Sequence, residues 1–159
     1  MRDTYSFELA GTTRAPIERA FEAVADPAQW ERWARPVVRR AVLSRAGHPE
    51  RFGAGAVRAM GPLRHGPAPI RERILEYSRN ESIVYSQEPP VPFRTNHGEI
   101  HFRKKTCGTE IRWTCRFAEL IPGSGPVLRY LLAKFVGFLH GRLIEYLDAE
   151  HPACTEAVS

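Results

Sequence analysis

The pentapeptide HGEIH (residues 97 to 101) puts two imidazoles and a carboxylate into one short stretch, the residue types that bind zinc or move protons. The spacing is not the HExxH of a helical zinc site. On an extended strand His97, Glu99 and His101 share one face and the two imidazoles lie about 13 Å apart, too far to meet on one ion without a bend. Gly98, Ile100 and Phe102 take the opposite face. No metal is therefore expected, and the two histidines and Glu99 are expected to face water.

The remaining acid and nucleophile candidates are few. Glu72 and Glu76 alternate with Arg71, Arg73, Leu75 and Tyr77. An inward Glu72 is a candidate general base or a partner for Arg142; an outward one pairs with an arginine of a neighbouring strand. Ile70 and Ile74 put the Glu72 side indoors, whereas Leu75 and Tyr77 put it outdoors, so the face of this strand stays open. Cys115 has no base at a recognisable spacing, and GxSxG and glycine-rich phosphate loops are missing from the sequence. No cofactor is expected and no catalytic residue is assigned.

These residues belong to a regular succession of elements. Tyr5, Phe7 and Leu9 alternate with polar neighbours, which predicts a strand over 4 to 14. Pro16 opens a helix carrying Ile17, Ala20, Phe21 and Val24, and Asp26 with Pro27 starts a second short helix through Trp30 and Trp33. A period of two then predicts strands at about 37 to 45, 55 to 60, 69 to 77, 82 to 87, 94 to 104 and 109 to 120. In the last of these Ile111, Trp113, Cys115 and Phe117 form one apolar row. After IPGSGP, the residues Leu128, Leu131, Leu132, Phe135, Phe138, Leu139, Leu143 and Tyr146 fall on one arc of a helix that reaches about Asp148. One sheet and one long helix, each with an apolar face, must cover each other. The fold class is thus α+β: strand, two short helices, six-strand antiparallel meander and long C-terminal helix.

Length and composition agree with one domain over 1–150 and a loose tail over 151–159: 159 residues, 43% hydrophobic and 26% charged. The start, MRDTYSFELA, lacks the apolar run of a signal peptide, and the longest apolar region, Val127 to Leu139, is interrupted by Arg129 and Lys134. A cytoplasmic protein without integral membrane insertion is expected. Cys107, Cys115 and Cys154 form no CxxC pair, and a strand between the first two separates them by about 26 Å, so three reduced thiols are expected. The net charge of +5 comes from arginines spread along the whole chain, with lysine only at 104, 105 and 134, which argues against a dedicated nucleic-acid surface.

The segments RAPIERAFEAVADPAQWERW, PIRERILEYSRNESIVYS, HGEI and GTEIRWTCRF followed by IPGSGPVLRYLL, in this order, resemble the START-like or SRPBCC superfamily with the helix-grip fold. Within it, the chain is similar to the polyketide cyclase/dehydrase and lipid-transport group. The resemblance implies a cavity between the sheet and the last helix that binds a small hydrophobic molecule such as a lipid, a polyketide or an aromatic compound. It leaves open a cyclase or dehydratase enzyme using the same cavity, and a monomer or a homodimer.

Antiparallel parity gathers the proline-bearing loops 61 to 69 and 88 to 93 at one end with Arg35, Pro36 and IPGSGP, a stiff rim for a mouth. The expected lining is Trp33, Tyr85, Asn96, Phe102, Trp113, Phe117, Phe135 and Phe138, with Gln87 and Arg142 as further polar groups. Asn96 is expected to point inward, where a ligand, a water or a neighbour such as Gln87 satisfies its amide.

Overall fold

A computed structural model describes residues 3–154. Strand β1 (Thr4–Thr13) leads into helices α1 (Ile17–Ala25) and α2 (Pro27–Trp33), then β2 (Arg40–Arg45), β3 (Val57–Gly61), β4 (Ile70–Ser78), β5 (Ser82–Gln87), β6 (Phe93–Lys104) and β7 (Thr109–Glu119), and finally α3 (Gly125–Glu150). The seven strands form one antiparallel sheet in the order β1-β7-β6-β5-β4-β3-β2, so the last strand of the meander closes back onto the first. The helix-grip arrangement expected from the sequence is present.

Local chemistry explains the elements. Asp26 ends α1 and caps α2, its carboxylate accepting from the Ala28 N–H at 2.9 Å, while Pro27 occupies the first turn where no donor is needed. The apolar row of β7 faces inward, with Ile111, Trp113 and Phe117 all buried. Strand β4 resolves its own ambiguity through a bulge: Ile74 pairs with Tyr85 and Glu76 with Val84, so Leu75 is the extra residue. Before the bulge Glu72 and Ile74 point inward; after it Tyr77 does, packing edge-on against Phe21, and Leu75 is exposed. The Ile70 and Ile74 argument therefore holds for the first half of the strand, whereas of Leu75 and Tyr77 only Tyr77 turns inward, beyond the bulge.

Helix α3 lies chiefly over β1. Gly11 allows the approach, because a Cβ there would meet Ile144 Cδ1 at 2.6 Å and His140 Cε1 at 2.8 Å. His140 Nε2 donates to the Ile111 carbonyl at 2.9 Å. The buried stripe is Val136, Leu139, His140, Leu143 and Leu147, displaced around the helix from the apolar arc of the sequence, and Leu131, Phe135 and Phe138 are left partly in solvent. Propensity and hydrophobicity do not fix this rotation, since apolar residues surround most of the helix; the close contact with β1 does.

The C-terminal end of α3 is lashed down. Asp148 Oδ1 accepts from Thr13 Oγ1 at 2.7 Å and the Arg14 N–H at 2.8 Å, and Arg19 Nε meets Glu150 Oε2 at 2.9 Å. Cys107, in the β6–β7 turn, is disulfide-bonded to Cys154. This corrects the expectation of three free thiols: separation along a strand excluded only the Cys107–Cys115 pair, whereas the returning helix brings Cys154 to a Cα distance of 5.7 Å from Cys107. Cys115 alone stays free among the described residues. Of the expected tail, 151 to 154 lead to this bond, and 155 to 159 lie outside the described residues. No helix among the described residues is long and apolar enough to cross a membrane.

Candidate ligand cavity

Between the concave sheet and α3 lies a cavity with about 680 Å³ of empty space, the open solvent at its mouth included. Trp30 of α2, Val38, Met60 of β3, Tyr85 of β5, Trp113 and Phe117 of β7 and Leu132, Phe135, Val136 and Leu139 of α3 supply most of the wall. Ile70, Gln87, Phe93 and Asn96 stand at strand ends beside the loops 62–69 and 88–92, which puts the mouth at the proline-rich end of the sheet.

Of the residues named from the sequence, Tyr85, Gln87, Asn96, Trp113, Phe117 and Phe135 meet in this wall. Trp33 does not: it is fully buried against Trp30 at 4.4 Å between ring centroids, with its indole N–H on the Ala23 carbonyl at 2.9 Å, and Trp30 takes the cavity position. Phe102 packs edge-on against Phe21 of α1 at 5.2 Å, beyond the cavity. Phe138 is 43% exposed, and Arg142 is half-exposed beside Glu145 at 3.5 Å, because both sit on the displaced outer side of α3. In HGEIH, Glu99 joins His97 at 2.9 Å and His101 at 3.1 Å, and no group of three His, Cys, Asp or Glu suited to a metal occurs among the described residues. These two contacts, His101 first, hold the Glu99 carboxyl below the ordinary carboxylate range.

Asn96 points inward and is satisfied by its neighbour. Its Nδ2 donates to the Gln87 carbonyl at 3.1 Å and its Oδ1 accepts from the Gln87 N–H. The regular β5–β6 ladder ends at the pair Tyr85–Gly98, so the Asn96 amide serves as the next rung.

A buried ion pair underlies the cavity, and half of it escaped the sequence reading. Arg58 and Glu72 are directly opposed on β3 and β4, with Nε to Oε2 at 2.8 Å and side-chain exposures of 2% and 6%. Arg58 Nη1 also donates to the Val24 carbonyl at 2.7 Å, which accepts from Trp30 Nε1 at 2.9 Å as well. That carbonyl belongs to the last turn of α1, where main-chain acceptors lack partners and positive charge is favoured. The guanidinium lies 4.7 Å from the Trp30 ring centroid, close enough for a cation–π contact. Strand parity offered no signal, because Val57 and Ala59 on the other side of β3 are as apolar and as buried as Ala56 and Met60 on the side of Arg58.

Next to this pair, the Tyr85 hydroxyl accepts from Trp113 Nε1 at 2.8 Å. Its ring crosses β6 at Gly98, where a Cβ would clash with Tyr85 Cζ. Burial holds the Tyr85 phenol well above its ordinary range, so it stays protonated. Burial likewise pushes the Cys115 thiol up to about 12, which makes it an unreactive lining group.

The sequence matches the family described as "Polyketide cyclase / dehydrase and lipid transport" over residues 5–148. The chain belongs to this family. Among solved structures, a similar fold is found in Ara h 8.0201, with a TM-score of 0.71 and 13% identity over 92% of this chain and 99% of that one. A norcoclaurine synthase from Thalictrum, solved as a point mutant with a transition-state analogue, gives a TM-score of 0.71 at 9% identity over 96% and 99% of the two chains. The di-domain ARO/CYC protein BexL of the BE-7585A biosynthetic pathway gives 0.70 at 20% identity, with 91% of this chain aligned to 50% of that one. These likenesses concern the fold. No curated protein matches the sequence.

Proposed function

We propose that this family member binds a small hydrophobic molecule, a lipid, a polyketide or an aromatic compound, in the cavity between the sheet and α3. The observation that carries the reading is the wall itself: rings of Trp30, Trp113, Phe117 and Phe135 around a slot that opens at one end, with a few fixed polar atoms. This is the usual composition of a small-molecule site. The test is saturable binding of a polarity-sensitive apolar dye to the folded protein and its displacement by compounds recovered from the natural host by native mass spectrometry. A dye that never saturates, with no molecule retained on purification, overturns the reading.

A second reading, a proton-transferring enzyme of the cyclase or dehydratase type, is favoured by one observation: Glu72 and Tyr85 both line the cavity. A carboxylate can take a proton beside a carbonyl while a phenol donates to the carbonyl oxygen. Glu72→Gln then abolishes turnover of a bound ketone and spares its binding; turnover that survives the substitution removes Glu72 from the chemistry.

A further inference from the structure

Unpaired cations and exposed apolar side chains gather at one end of the molecule, the end where the cavity opens. Its loops are 34–39, 62–69, 88–92 and 120–124, with the N-terminus of α3 beside them. Other than Val42 and Leu75, every large exposed apolar side chain among the described residues is Leu63 or falls between Leu120 and Phe138. Leu63, Ile121, Val127 and Leu131 stand out furthest of the aliphatics, each between 53% and 66% exposed. A lone exposed apolar residue is ordinary, but a concentration of them around one opening marks a surface that meets something.

The same end carries positive charge that the protein does not neutralise. No Asp or Glu occurs from Leu120 to Ile144, whereas Arg129, Lys134 and Arg142 do; between Arg32 and Arg71 the one acid is Glu50, which pairs with Arg79 at the other end of the sheet. Acids near the mouth are already engaged. Glu31 accepts from the Ala41 N–H, Glu88 from Arg71 and Arg73, and Glu119 from the Gly123 and Gly125 N–H groups; Asp3, ahead of β1, is an exposed exception. Arg39, Arg64 and Arg94 form no ion pair among the described residues, and Arg35 directs its Nε to the Glu31 carbonyl at 2.7 Å. Arg35, Arg39 and Arg64, with Pro36, line a concavity of their own. The Arg39 N–H on the Gly61 carbonyl at 2.9 Å and Arg40 Nη1 on the Gly66 carbonyl at 2.7 Å tie together the two loops that carry them. Three guanidiniums around one concavity repel each other, and a phosphate among them turns that repulsion into attraction.

We infer that this end of the protein docks on an anionic lipid bilayer, with Leu63, Ile121 and Val127 entering the acyl boundary and Arg35, Arg39 and Arg64 taking lipid phosphates. Interfacial binding draws on buried apolar area and on attraction to anionic headgroups together, and both are present here. Nucleic acid offers nothing to the aliphatic tips, and loops 34–39 and 62–69 hold no Phe, Tyr or Trp on which a base could stack. Phe135 both lines the cavity and is 37% exposed, so the cavity opens within the docked surface and a hydrophobic molecule passes between bilayer and cavity without crossing water. The docking surface goes beyond the cavity reading and rests on it only for this last step.

The experiment is co-sedimentation of the full chain with vesicles of phosphatidylcholine alone and of phosphatidylcholine with phosphatidylglycerol, at low and at physiological salt, with a cooperative urea transition verifying the folding of each variant. The parent should bind the mixed vesicles and bind phosphatidylcholine far more weakly. Arg39→Gln with Arg64→Gln should weaken binding to the mixed vesicles about 25-fold, roughly fivefold for each charge at the membrane surface. Ile121→Ser with Val127→Ser should weaken it about tenfold or more. Arg45→Gln with Arg51→Gln, the same charge change at the opposite end of the sheet, should stay within about twofold of the parent. A parent that ignores the mixed vesicles overturns the inference. So does an equal loss from the two arginine pairs, which makes the attraction one of net charge alone, or binding indifferent to the serine substitutions, which fits an acidic protein or nucleic acid instead. Saturable uptake of an apolar dye by a protein that ignores vesicles leaves the cavity reading standing and removes the docking surface; vesicle binding with this pattern of losses and no dye uptake upholds the docking surface and sinks the cavity reading.

Discussion

Removing one partner of the Arg58–Glu72 pair should be far more damaging than removing both. With Glu72→Leu, Arg58 keeps the Val24 carbonyl and the Trp30 and Tyr85 rings but no carboxylate, at 2% side-chain exposure, and a guanidinium cannot shed its charge. Stranding a buried charge costs about 3 to 5 kcal/mol, which for a chain of this size lowers Tm by roughly 6 to 20 °C. Arg58→Met should cost less, since Glu72 borders the cavity and can take up a water or a proton. The double variant Arg58→Met with Glu72→Leu replaces both charges by apolar groups of similar volume and should return to within about 1 kcal/mol of the parent or exceed it. Urea denaturation of the four proteins, followed by the fluorescence of the three buried tryptophans Trp30, Trp33 and Trp113, closes the cycle. Losses that simply add within about 0.5 kcal/mol would refute a buried, mutually dependent pair.

Three further outcomes are expected. Gly98→Ala forces the Tyr85 ring off β6 and breaks its bond to Trp113, so it should cost about 2 to 5 kcal/mol by overpacking and a lost buried hydrogen bond, and Tyr85→Val should relieve most of that cost in the double variant; an alanine tolerated without loss contradicts the packing. Thiol titration at pH 8 should find no reactive sulfhydryl in the folded protein and one, Cys115, per chain in denaturant, whereas three would show that Cys107 and Cys154 are not joined. The Glu150 carboxyl is held below its ordinary 4.5 chiefly by the hydrogen bond from Arg19, so its contribution to stability is complete above about pH 4.5 and is lost as pH falls through the lowered value; Glu150→Gln should flatten this acid limb in urea midpoints measured at pH 7 and 3.5, and an unchanged limb removes the pair from the account.

The strands were legible because a half-buried antiparallel sheet writes its register as simple alternation, and His97, Glu99 and His101 could be assigned to the outer face and Asn96 to the inner one by parity alone. Strand β4 was not, because the bulge at Leu75 reverses the parity halfway along and no residue type announces it. Arg58 was passed over because arginine is rarely interior; only its partner on the next strand and the open carbonyls at the end of α1 make its burial tolerable, and both are nonlocal. The same holds for Cys154, whose meeting with Cys107 depends on the length and direction of α3. Phe138 and Arg142 were misplaced for a different reason, since a helix apolar nearly all round does not state which side its sheet will take.

The bond between Cys107 and Cys154 also makes a closed covalent ring, with 47 residues of separation along the chain, and that ring contains β7 and α3, one strand of the cavity floor and its roof. Closing a loop of this length removes about 4 kcal/mol worth of chain freedom from the unfolded state in the entropy model. Mechanically, a load applied at Cys154 enters the fold at the β6–β7 turn instead of peeling α3 away from its end. Because β7 is itself held between β1 and β6, the roof is tied at its C-terminal end to an interior strand of the floor, and a bound molecule is expected to leave on the side of the α3 N-terminus.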